Sequence, residues 1–95
     1  MGMIVAVLRV ELYIPGSTSL KDKRAVLRSV KDRLSKKFNV SVAETDHQDK
    51  WQRAELGFAQ VGSDYGFLEQ NINKIFNILD NAHDFEVVDH LVEYL

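Results

Sequence analysis

Ninety-five residues at 45% hydrophobic content suit one compact domain, 1–95, able to bury a continuous core without metal or disulfide support. Cysteine is absent, which excludes disulfides, thiolate zinc sites, iron–sulfur ligation and thiol nucleophiles, and fits a reducing, cytoplasmic setting. The net charge of −2 hides an uneven distribution: eight of the twelve basic residues lie between Lys21 and Lys37, where only Asp22 and Asp32 oppose them, so that segment carries +6 and the remainder −8.

The first element runs from Met3 to Ile14. Its even positions Ile4, Ala6, Leu8, Val10, Leu12 and Ile14 are all apolar, whereas the odd ones pass from Val5 and Val7 to Arg9 and Glu11, a period of two that predicts a strand. Arg9 and Glu11 also interrupt what would otherwise resemble a signal-peptide core, and nothing reaches the roughly 18 uninterrupted apolar residues of a spanning helix. No membrane role is expected. Pro15-Gly16 breaks the strand, and Ser19 followed by Asp22 resembles a capping box opening a helix that ends near Asn39. Leu27, Val30, Leu34 and Phe38 give that helix one buried stripe. Val40–Thr45 reads as a second strand, Asp46–Lys50 as a turn, and Gln52–Val61 as a third strand, together a hairpin. Gly62-Ser63-Asp64 separates it from a second helix, for which Ser63 is the expected cap, with apolar face Leu68, Ile72, Ile75, Phe76 and Leu79 fading at Asn81. Phe85–Leu95 closes the chain as a fourth strand.

The order βαββαβ predicts an α+β, ferredoxin-like fold: a four-stranded antiparallel sheet in the order 4-1-3-2 with two helices on one face. The first and third strands, the most apolar pair, would then be central.

Within the basic segment, Lys21, Arg24, Arg28 and Lys31 fall in an arc of about 80° at 100° per residue and form one stripe. A charge run is ordinarily a solvated face. Here, however, two acids cannot produce the alternating, salt-bridged pattern of an ordinary exposed helix, and the second helix carries Lys74 as its one cation. The stripe is therefore the candidate binding surface for a polyanion or an acidic partner. Lys23 stands apart, on the side of Leu27, Val30 and Leu34, where a lysine must snorkel or meet a carboxylate. Glu44 and the hairpin acids are its candidate partners, which would make it structural.

Glu44, Asp46, His47 and Asp49 cluster ahead of Trp51-Gln52-Arg53 and, with Lys23, make a candidate mixed-charge site. Such groups can hold a hard cation or move protons. Their spacing matches no zinc or EF-hand pattern, and Asp and His are common turn residues, so turn structure or partner contact is the favoured reading and no metal is assigned. Serine nucleophile motifs and glycine-rich phosphate loops are missing, so no catalytic residue and no cofactor is assigned. Gly57-Phe58-Ala59 resembles part of an RNA-recognition strand, but Leu56 replaces the leading basic residue, Gln60 stands where a second aromatic is needed, and Phe58 is wanted in the core. With Phe58 inward, Val5, Val7, Gly57, Ala59 and Val61 leave the sheet's free side partly apolar, a feature that points to a homodimer.

Three stretches carry a further likeness: Ser19-Leu20-Lys21-Asp22-Lys23-Arg24, then Phe38-Asn39-Val40-Ser41-Val42-Ala43-Glu44, then Asp46-His47-Gln48-Asp49 with Trp51-Gln52-Arg53-Ala54. In this order they resemble the YlxP-like family of small bacterial proteins, a domain of unknown function, over nearly the whole chain. Lys50 stands where that family has an apolar residue. The resemblance implies a ferredoxin-like fold and a bacterial cytoplasmic protein without assigned activity, in a family whose genes often lie beside those for translation and ribosome maturation. The leading expectation is a binding module whose first helix docks on structured RNA or a ribonucleoprotein. An acidic protein surface is the alternative partner, and a small-ligand binder or enzyme using the hairpin acids and His47 is the third.

Overall fold

A computed structural model describes residues 2–95. Its elements are β1 (Ile4–Tyr13), α1 (Leu20–Phe38), β2 (Ser41–Asp46), β3 (Arg53–Gly62), α2 (Tyr65–Asp80) and β4 (Glu86–Tyr94). The sheet order is β2-β3-β1-β4 with every neighbouring pair antiparallel, which is the expected ferredoxin-like topology read from the other edge.

Burial follows the period-two pattern. Ala6, Leu8, Val10 and Leu12 of β1 are fully buried, as are Ala54, Leu56 and Phe58 of β3, and the alternate residues are not. Leu27, Val30, Leu34 and Phe38 of α1 and Leu68, Ile72, Ile75 and Leu79 of α2 join them in one core cluster, so both helices cover the same face of the sheet. Gln60 continues the buried row of β3. It donates from Nε2 to the Phe38 carbonyl at 2.6 Å, and its Oε1 accepts from Asn71 Nδ2 at 3.0 Å, tying a free carbonyl of the last turn of α1 to α2 through the core.

The helix ends follow local chemistry. Ser19 caps α1, its Oγ accepting from the Asp22 N–H at 3.0 Å. The reciprocal bond of a capping box is replaced: the Asp22 carboxylate instead accepts from the hydroxyl and N–H of Thr18, at 2.7 and 3.0 Å, and these bonds hold its pKa below the ordinary carboxylate value. Asn39 ends the helix in the left-handed region at φ 53°. For α2 the expected cap was one residue early. Asp64, not Ser63, is the N-cap, with its Oδ1 accepting from the Phe67 N–H at 3.3 Å. Both residue types are good caps, but Asp64 is the one in register with the first buried residue, Leu68.

Both edge strands depart from regular pairing. Along β2, Glu44 pairs with Leu56 and Asp46 with Glu55, leaving Thr45 as an extra residue; along β4, Asp89 pairs with Glu11 and Val87 with Leu12, leaving Val88 extra.

Candidate functional site

The core arc of α1 fixes where its charges go. Lys21, Arg24, Arg28 and Lys31 follow the core residues round the helix on the side of β2, and between α1 and that strand lies a groove of about 170 Å³ lined by Arg24, Leu27, Arg28, Lys31 and Glu44. Lys21, Arg24 and Arg28 are exposed and Lys31 is half-buried. At 1.5 Å rise per residue, the stripe from Lys21 to Lys31 extends about 15 Å. Among the described residues, none of the α1 cations other than Lys23 forms an ion pair.

Lys23 is buried at 0% exposure, its stem in the core arc and its ammonium at the start of the hairpin turn. It donates to the carbonyls of His47 at 2.8 Å, Arg53 at 3.2 Å and Gln48 at 3.4 Å, and it pairs with Glu44 Oε2 at 2.8 Å. Those oxygens replace the water a buried ammonium loses. Two elements are joined in this way, the first turn of α1 and the β2–β3 connection. The pairing also cancels the carboxylate that lines the basic groove, so the groove keeps the charge of Arg24, Arg28 and Lys31.

Beyond those carbonyls, the side chains of the remaining hairpin residues do not join this pair. His47 adopts the left-handed conformation at φ 63°, and its ring lies against Glu11 of β1, with Nε2 3.0 and 3.1 Å from the two carboxylate oxygens. Asp46 accepts from the His47 N–H at 2.8 Å, and Arg53 stands 3.7 Å from Glu11. Arg9 and Glu55 complete the row at 3.0 Å. The candidate mixed-charge site is therefore divided. Lys23 and Glu44 meet between α1 and β2, whereas Asp46 and His47 belong to a network reaching Glu11. Asp49 is exposed and makes no ion pair among the described residues.

The extra residue at Thr45 helps explain the division, because it changes the alternation between Glu44 and Asp46. Sequence reasoning missed Glu11, Arg53, Arg9 and Glu55 as members of the network. Their shared odd parity was visible in β1 and β3, but the register that sets Glu11 opposite Glu55 and Tyr13 opposite Arg53 was not. Among the described residues, no three or more histidine and carboxylate side chains gather as a metal site, and no helix is long and apolar enough to cross a membrane.

Two comparisons with known proteins bear on this arrangement. The family model described as "Protein of unknown function (DUF503)" matches residues 5–92. The uncharacterized protein YlxP of Bacillus subtilis (strain 168) is 38% identical over 76 residues, covering 80% of this chain and 83% of the relative.

Proposed function

The chain belongs to the DUF503 family of proteins of unknown function, and from that premise we propose that it is a binding module that docks on structured RNA or a ribonucleoprotein through α1. Lys21, Arg24, Arg28 and Lys31 contact phosphates and read no bases. The observation that carries this reading is the selective pairing of the helix: Lys23 is neutralised and buried, and among the described residues the four stripe cations have no carboxylate within ion-pair distance. Unpaired cations along about 15 Å match a ligand with charge repeated along its length better than a single small anion. The groove beside them adds Leu27 as an apolar floor and, apart from Glu44 held by Lys23, no hydrogen-bonding side chain beyond the same cations.

The test is binding of a labelled structured RNA followed by fluorescence anisotropy across salt. Four phosphate contacts give a slope of log K against log salt of about −2.8 to −3.6, so affinity falls about 50–150-fold between about 50 and 200 mM. Replacing Lys21, Arg24, Arg28 and Lys31 together with Gln removes that dependence, and Lys74→Gln on α2 leaves it intact. Binding that ignores salt or survives the fourfold replacement refutes the reading. Capture from lysate separates the two partner classes, since a partner retained after RNA digestion identifies an acidic protein surface instead.

A further inference from the structure

The sheet face opposite the helices presents an apolar half and a charged half. Val5, Val7, Ala43, Ala59 and Val61 occupy the first, with Val61 62% exposed, and a shallow depression of about 270 Å³ lies over Val7, Ala43, Gly57 and Ala59. Gly57 is part of its shape: a Cβ there would stand 3.1 Å from Thr45 Cγ2. In the second half Arg9, Arg53, Glu11 and Glu55 are bonded to one another or to His47, and on β4 Asp89 and Glu93, in register with Glu11 and Val7, add two acids to the same face. A face that carries more acids than bases and, among the described residues, no exposed aromatic over the depression offers nothing to a nucleic acid.

We infer that this face is the contact between two copies of the chain, stacked sheet to sheet about a two-fold axis that runs parallel to the strands between β1 and β3. The register supports that occupant. Because Val5 lies opposite Val61, Val7 opposite Ala59 and Arg9 opposite Gly57, such an axis lays β1 of one copy over β3 of the other. Val5 then meets the partner's Val61, Val7 fills the space over the partner's Ala59, and the stem of Arg9 crosses the partner's Gly57. At Val7 and Arg9 a large side chain faces a small one, as in sheets packed about 10 Å apart, and the same register lays Glu11 over the partner's Glu55, each carboxylate held within its own copy by His47 or Arg9. Area agrees. Strands of 10, 6, 10 and 9 residues, at about 3.3 Å rise and about 4.8 Å spacing, make a face of about 550 Å². The pair buries about 1,100 Å², above the roughly 1,000 Å² that a specific interface requires. Both α1 ridges remain on the outside of this four-layer sandwich.

Sedimentation equilibrium of the full chain at micromolar concentrations tests the pairing. The expected mass is twice the 10.9 kDa of one chain. Ala59→Arg and, separately, Val61→Glu at the more exposed site are expected to return the single-chain mass with unchanged far-UV circular dichroism. The fourfold Gln replacement on α1 keeps the doubled mass, so loss of RNA binding and loss of pairing are read separately. A single-chain mass for the unsubstituted protein overturns the inference. So does a doubled mass that persists in both variants, which would move the contact to a sheet edge.

Discussion

Replacing Lys23 with Met keeps the aliphatic stem in the core arc and removes only the ammonium. The His47 and Arg53 carbonyls, 2.8 and 3.2 Å from Nζ, then lose their donor, and Glu44, 18% exposed at its side chain, keeps a charge with no counter-ion in contact. Breaking a buried pair by deleting one member costs about 3–5 kcal/mol, and the partial exposure of Glu44 argues for the lower end. A chain of 95 residues has about 5–14 kcal/mol of stability in all, so this one side chain accounts for a large share. With a urea m value of about 1.2 kcal/mol/M, the midpoint falls by about 2.5–4 M, measured by circular dichroism. Glu44→Gln in the same background restores part of the loss, because it removes the stranded charge. A second readout follows from the groove: Lys23→Met weakens anion binding at pH 7 although Lys23 touches no ligand, since it uncovers a carboxylate beside Arg24, Arg28 and Lys31. A midpoint change below about 0.5 M, near 0.6 kcal/mol at that slope, would refute the reasoning.

Asp64→Ala costs about 1 kcal/mol in denaturant melts, whereas Ser63→Ala stays within a few tenths; reversal of that order would remove Asp64 as the cap. Tyr65 and Tyr94, whose rings meet tilted by 55° at a centroid distance of 4.7 Å, both ionise above the ordinary tyrosine value. Partial desolvation is the main cause for both. For Tyr65 the Glu69 carboxylate follows, by its charge and by accepting from the hydroxyl at 3.2 Å, and for Tyr94 the charges of Tyr65 and Glu69 follow. The folded pKa lies above the unfolded one, so the stabilisation is complete below the unfolded value and is lost as pH rises through the folded one. Ultraviolet titration of the phenolates checks this: Glu69→Gln shifts the Tyr65 transition downward, and an unmoved transition contradicts the assigned cause.

Much of the fold was legible because its elements differ in period. Ala6, Leu8, Val10 and Leu12 could belong only to a strand with one buried face, and Leu27, Val30, Leu34 and Phe38 only to a helix. The helical arc also placed Lys23 inward and the four stripe cations to one side. What composition and spacing could not supply was pairing register. The extra residue at Thr45 separates Glu44, which meets Lys23, from Asp46 and the His47 ring that turns toward Glu11, and no local propensity marks such an insertion. Glu11 and Arg53 went unassigned for the same reason, since 41 intervening residues separate groups that a single ladder brings within 3.7 Å. Ser63 and Asp64 show a smaller gap of the same kind: adjacent residues with like capping chemistry are distinguished only by where the helix meets its core.

The irregular residues Thr45 and Val88 have a consequence for solubility. Each kinks an outermost strand near exposed acidic side chains, Asp46 at one margin and Glu86 and Asp89 at the other, and so spoils the straight, unfilled row of amides on which a foreign strand would template itself. Under the proposed docking, copies gathered along one long anion would be at high local concentration, the condition under which bare margins polymerise into fibres. Kinked and negatively charged, these margins resist open-ended growth at close quarters.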